Sequence, residues 1–201
     1  SSEIMLWEAA IVAAVGVLAL KYFGCFDTPE VSISENPSAF AGGLTVYYKY
    51  HVGAFSGAYS ISRDIMNLIP NKVARGFGIF YDDPNTVPEH LHKTAVGVIV
   101  KVGSEDLVKP EIIEMLKERG LKKMEIPAVY RSITSSCSMN IACAVLPDSL
   151  NPIVKMYRAI EEYAKSNSLC MSMVMELYAL DSSLITVHFP LDNREGFVVP
   201  E

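Results

Sequence analysis

The stretch Gly78-Ile79-Phe80-Tyr81-Asp82-Asp83-Pro84 is apolar and aromatic, then stops at two aspartates and a proline. Asp side chains bond nearby backbone amides in turns, and proline cannot donate to a sheet ladder, so the wording is that of a strand ending in a rigid loop. Pro88 follows, and then the alternating run Thr94-Ala-Val-Gly-Val-Ile-Val-Lys-Val102, a second strand. Upstream, Leu44 to His51 is a strand with Val46, Tyr48 and Tyr50 on one face. Ile61, Ile65, Leu68 and Ile69 form a helical stripe that must end by Pro70. The segment from Leu44 to Val102 is therefore one β-α-β-β unit.

The same order returns downstream. Between the units, Pro110 suits a first helical turn, Gly120 its C-cap, and Leu121 to Ile126 a short edge strand. Val129 to Ser138 is a strand. Asn151-Pro152 opens a helix whose stripe runs Ile153, Met156, Tyr157, Ile160, Tyr163, Ala164. Met173 to Leu180 and Leu184 to Leu191 are strands joined by a hairpin at Asp181-Ser182-Ser183. Side by side, two such units bury both faces of a shared sheet and leave a cleft along their pseudo-twofold, where a ligand is expected. The fold class is α+β.

The N-terminus differs in kind. Ala9 to Leu20 is uncharged for 12 residues, about 18 Å of helix, short of a hydrocarbon core of about 30 Å. Extending from Ile4 to Phe26 gives 23 residues and about 34 Å, with Glu8 and Lys21 near the two interfaces. Trp7 and Tyr22 suit an aromatic belt, Lys21 can snorkel, and the acidic start lacks the basic region of a signal peptide. Residues 1–26 are therefore expected to be a transmembrane helix, 27–43 a linker rich in Pro, Gly, Ser and Thr, and 44–201 the globular domain. Glu3 and Glu8 before the span and Lys21 after it place the domain in the cytosol. The net charge of -6, with no basic cluster longer than Lys122-Lys123, argues against direct nucleic-acid binding. The four cysteines (Cys25, Cys137, Cys143, Cys170) show no zinc-like spacing and suit reduced, buried thiols.

Glu176 stands alone in a strand of Met, Val, Leu, Tyr and Ala, sharing a face with Val174 and Tyr178. A carboxylate there is costly unless it is paired, hydrogen-bonded or open to a cleft. Glu176, Tyr178, Tyr48 and Tyr81 are thus the candidate ligand-binding residues. The alternative is a carboxylate on a wet sheet face or one bonded to a local tyrosine. Asp82 and Asp83 point to opposite sides and suit turn capping rather than shared acid–base work. His90 and His92 lie on one side of an extended segment without a third ligand, which suits a solvated loop. His51 and His188 suit satisfied strand histidines. Ser135, Ser136 and Cys137 lack a nucleophile elbow. Met171, Met173 and Met175 alternate on one strand face. No metal or cofactor is expected.

Gly78 to Pro84, Val87-Pro88 and Ala95-Val96-Gly97-Val98 resemble the signature of the GyrI-like small-molecule-binding domains, built as tandem β-α-β-β units. Thr45-Val-Tyr-Tyr-Lys-Tyr-His-Val-Gly53, Ser168-Leu-Cys170, Met175-Glu-Leu-Tyr178 and Gly196-Phe-Val-Val-Pro-Glu201 resemble a narrower group. Its members are single-pass ER membrane proteins with a cytosolic GyrI-like domain. That resemblance implies a receptor for selective autophagy of the ER, with a lumenal N-terminus and places at the nuclear envelope and autophagosome. In that group a disordered acidic tail follows the domain. It binds ubiquitin-like autophagy modifiers by strand addition through an aromatic-x-x-aliphatic motif. The sequence stops at Glu201, where the folded domain would end, so that tail is not in it. Tyr130-Arg-Ser-Ile133 and Tyr157-Arg-Ala-Ile160 fit the motif but sit in a predicted strand and helix. The resemblance also implies an AAA unfoldase partner in the repair of protein–DNA crosslinks. It places the glutamate of this strand in the ligand cleft, where hydrolytic relatives use it in catalysis. A non-enzymatic, membrane-tethered adaptor is the leading expectation, and a hydrolase with Glu176 as general base is the alternative.

Overall fold

The computed structural model describes residues 2–70, 74–138, 145–179 and 183–199. The expected units are both present. The first comprises β2 (Leu44–Val52), α2 (Phe55–Asn67), β3 (Arg75–Phe80) and β4 (Lys93–Val102). The second comprises β7 (Arg131–Ser138), α4 (Pro152–Ser166), β8 (Val174–Tyr178) and β9 (Leu184–Pro190). Between them lie β5 (Glu105–Asp106), α3 (Pro110–Glu118) and β6 (Lys122–Ile126). Together with β1 (Val31–Glu35), the strands of the described residues join one antiparallel sheet in the order β1-β7-β9-β8-β3-β4-β2-β6, with β5 on β4. The units meet where β3 pairs with β8, so the opening motif lies at the pseudo-twofold. Residues 180–182 of the expected hairpin and Cys143 lie outside the described residues.

The helices are begun and stopped by local chemistry. Pro110 starts α3, and Gly120, at φ +77°, ends it with Leu121 N donating to the Leu116 carbonyl. The Asn151 side chain accepts from the amides of Ile153 and Val154, capping α4. One face of the sheet carries α2, α3 and α4, packed on residues such as Tyr47, Val98, Phe80 and Val187. The other face holds Val46, Tyr48, Phe77, Ile79 and Met175 beneath Phe40, Phe197 and Val199.

The expected boundaries at the N-terminus need correction. The helix α1 covers Ser2–Tyr22 rather than residues 1–26, and 27–43 is not a linker. Val31–Glu35 forms β1, an edge strand paired along its length with β7, and Phe40, in a 3-10 turn at Ser38–Phe40, is fully buried. The prolines and small residues that suggested a linker bend the chain on either side of Val-Ser-Ile-Ser-Glu, whose two-residue alternation suits a strand. Ile4–Tyr22 of α1, 19 residues and about 28 Å long, is long and apolar enough to cross a membrane, and none of that span is buried.

Candidate functional site

Glu176 sits at the centre of β8, opposite Gly78 on β3 and Val187 on β9. Its side chain points to the helix-covered face and is 1% exposed. Three phenols close around it. Tyr178 Oη, two residues along the same strand, donates to Oε2 at 2.7 Å. Tyr157 Oη, from α4, donates to Oε1 at 2.5 Å. Tyr59 Oη, from α2, lies 3.1 Å from both oxygens. Each unit thus contributes a helical tyrosine, and the second also contributes the carboxylate and its neighbour.

The strand that faces the carboxylate makes the room. A Cβ on Gly78 would sit 2.9 Å from Tyr178 Oη and from an edge carbon of Phe80. A Cβ on Gly76 would meet Met66 and the Tyr178 ring at 3.1 and 3.3 Å. The Gly-Phe-Gly spacing therefore leaves a bare strip of backbone over which Tyr178 lies. Burial pushes the Glu176 carboxyl above its ordinary range, and the three phenol donors pull it back. Burial, and then the adjacent carboxylate, push Tyr59, Tyr157 and Tyr178 well above the ordinary phenol range. Chemically this is a dry carboxylate with its lone pairs already used.

The expected site residues divide. The structure brings Glu176 and Tyr178 together and separates Tyr48 and Tyr81 from them. Tyr48 is buried on the opposite face of the sheet, and Tyr81 packs against that same cluster while donating to the Phe197 carbonyl at 2.7 Å. The reason is strand parity: Tyr48 shares its face with Val46, not with Tyr47. Sequence reading missed Tyr59 as a partner and took Tyr157 only as part of a core stripe. The two glycines inside β3 were the available signal. Hollows of about 540 and 530 Å³ open near Gly43 and Glu125 and near Thr134 and His188; Glu176 lines neither.

The other candidates resolve into local roles. Asp82 accepts from Lys93 N at 2.6 Å, and Asp83 accepts from Asn85 N at 2.8 Å, so both act on the turn. His90 is exposed, but His92 is buried, bonded to the Val87 carbonyl and stacked on Phe55, which corrects the solvated-loop reading. His51 bonds the Ala54 carbonyl. His188 lies within hydrogen-bond distance of Thr134 Oγ1, and burial holds its imidazole down at about 4. Ser135 donates to the Glu30 carbonyl and Ser136 to Thr186. Met173 and Met175 share the far face as expected; Met171 precedes β8 and packs with the helix-side cluster instead. Trp7, Lys21 and Tyr22, the expected membrane flanks, are exposed on α1.

Two β-α-β-β units in one sheet, with helices on one face and a glutamate at the meeting strands, define a GyrI-like fold. A cryo-EM structure of an EcmrR–DNA complex shares it at a TM-score of 0.50 and 14% identity, covering 94% of this chain and 67% of that one. No family model matches the chain. In sequence, the chain is a distant homologue of testis-expressed protein 264. It is 28% identical over 182 residues to the Testis-expressed protein 264 homolog of Mus musculus and 27% identical to the Homo sapiens protein. The alignments cover 90% of this chain and 54% of each relative, so the chain spans about half the length of the curated relatives it matches.

Proposed function

We propose that this chain is the membrane-anchored, folded part of a receptor or adaptor for selective autophagy of the ER. In this reading α1 crosses the ER membrane with its N-terminus in the lumen, and the GyrI-like domain is cytosolic. The observation that carries it is the unburied apolar α1 in a chain homologous to testis-expressed protein 264 over nine-tenths of its length. Ubiquitin-like autophagy modifiers, and an AAA unfoldase, are the partners this reading implies, at the nuclear envelope and autophagosome as well as the ER. The domain acts as a stable platform at the membrane.

The test is topology and flux together. The chain, tagged at Glu201, should resist carbonate extraction from microsomes and lose the tag to external protease. A glycosylation sequon added before Ser1 should be modified. Deleting the gene should lower starvation-induced delivery of an ER reporter to lysosomes. Extraction by carbonate, or unchanged flux, overturns the proposal.

A second reading, a small-molecule binder or hydrolase, is favoured by one observation: a carboxylate inside an aromatic cage at the meeting of the units. It requires the phenols to part so that a water or cation reaches Glu176. Glu176→Gln should then abolish ligand binding or turnover while leaving ER retention intact; retained turnover sinks a general-base role.

A further inference from the structure

We propose that the globular domain does not swing free of the membrane but rests against the bilayer's interfacial zone, through the end of the sheet that carries Ser138 and Leu184. This deepens the anchoring reading above and rests on it.

The first observation is the stop signal of α1. Gly24 adopts φ +73°, Gly24 N donates to the Lys21 carbonyl at 3.1 Å, and Cys25 N donates to the Leu20 carbonyl at 3.0 Å. This is a Schellman closure, which fixes the direction in which the chain leaves the helix. Cys25, the next residue, is fully buried. The second is a clamp from the domain. Lys155, in the first turn of α4, donates through Nζ to the carbonyls of Cys25 at 3.0 Å and Asp27 at 2.7 Å, just past the C-terminal end of α1, where a cation is favoured. Ser135, on β7, donates to the Glu30 carbonyl at 2.7 Å, and β1 begins at Val31. No free tether separates helix from sheet.

The third is the end of the sheet that this junction meets. A Cβ on Gly24 would lie 4.0 Å from Ser138 Cβ. Ser138 opposes Leu184, Ile185 opposes Tyr178, and Tyr178 opposes Gly76, so these residues share one end of the sheet. Phe80, Thr94 and Val174 mark the other end, where the loop after Tyr81 projects. At the α1 end stand the exposed apolar side chains of Phe26, at 49%, and Leu184, at 44%; Val145, 87% exposed, lies six residues before Asn151, the cap of the helix whose first turn holds Lys155 against Cys25. Serines 138 and 183 lie between, hydroxyl to hydroxyl. Exposed apolar side chains continuous with the exit point of a membrane helix fit the boundary of headgroups and acyl chains, and the charges beside them, Asp27 next to Gly24, Lys155 on the Cys25 and Asp27 carbonyls and Arg75 next to Gly76, fit its headgroup side.

Trp7 is the chain's one tryptophan, which separates the two claims experimentally. The full chain is reconstituted in vesicles of phosphatidylcholine with brominated acyl chains. Trp7 in the unmodified chain should be quenched relative to unbrominated lipid; if it is not, the anchoring reading itself fails. In a Trp7→Phe background, Val145→Trp should also be quenched, whereas Glu89→Trp, in the loop at the far end, should keep its full fluorescence. Quenched Trp7 with unquenched tryptophan at 145 overturns the resting surface alone. Equal quenching at 145 and 89 overturns it too, since it shows no fixed orientation. Adding Lys155→Ala to the Val145→Trp chain should reduce quenching at 145 without changing that of Trp7 in its own background. Undiminished quenching there overturns the clamp.

Discussion

The two units share an architecture and differ at the strand pair where they meet. Among the helix-facing positions, β3 has Gly76 and Gly78 where β8, directly across, has Tyr178 and Glu176; Phe80 and Val174 complete the pair. One unit supplies emptiness and the other supplies the charge and the ring that fill it. Their helices contribute alike, Tyr59 from α2 and Tyr157 from α4. The difference teaches that a pseudo-symmetric fold builds a buried polar centre by breaking symmetry at its axis. Two carboxylates there would repel, and two bare strands would leave a void. Removing the charged partner breaks this arrangement most severely. Glu176→Ala strands three phenols and opens a cavity, and should cost about 3–5 kcal/mol in denaturant unfolding of the detergent-solubilised chain. Glu176→Gln keeps the shape and should cost less. Equal stability of Glu176→Ala and the unmodified chain would dissolve the view that the cage holds the units together.

The second unit also holds His188 on the opposite face, one residue pairing away, and the two groups respond to pH with opposite sign. The folded imidazole ionises at about 4 against an ordinary 6.5, so the unfolded chain binds the proton first as pH falls. Stability should drop by roughly 3 kcal/mol between pH 6.5 and 4, and His188→Asn should remove that slope. The Glu176 carboxyl is raised, so the folded chain holds its proton longer. Its contribution is present below the ordinary carboxylate range and lost as pH rises through the raised value. Glu176→Gln should therefore flatten the curve on the alkaline side of 4.5 and leave the His188 slope untouched. Unfolding of both variants from pH 4 to 8 measures the two slopes separately.

The empty side of the comparison carries a smaller effect. Gly78→Ala places a methyl 2.9 Å from Tyr178 Oη, at the end of a side chain that can shift only by loosening its bond to Glu176. A loss of about 1–3 kcal/mol is expected from overpacking. Pairing it with Tyr178→Phe should relieve part of the crowding, so the double variant should be more stable than the sum of the two losses.

Strand and helix periodicity made the paired units legible, because each element buries one face and its residues recur accordingly. Strand parity likewise put Val174, Glu176 and Tyr178 on one face correctly. What it could not assign was which face of each strand meets the helices, so Tyr48 and Tyr81 were grouped with Glu176 although they belong to the other side. The tyrosines from α2 and α4 are separated from Glu176 by 117 and 19 residues, and only the folded chain brings them in. Residues 27–43 misled for a different reason. Proline and glycine bound an edge strand as readily as they mark a linker, and the five residues of β1 are too few to outweigh them.

The smallest test separates the two helical tyrosines. Tyr157 donates to one oxygen at 2.5 Å, whereas Tyr59 is shared between both at 3.1 Å, a longer and less directed contact. Tyr157→Phe should cost about 1.5–3 kcal/mol, the range for a hydrogen bond to a charged acceptor, and Tyr59→Phe about 1 kcal/mol. Because both bond one carboxylate, the double variant should depart from additivity by more than about 0.5 kcal/mol. The remaining phenol can turn more fully toward a carboxylate relieved of one partner, so the second loss exceeds the first. Strict additivity would mean that the two units stabilise Glu176 independently and that the cage is two contacts rather than one.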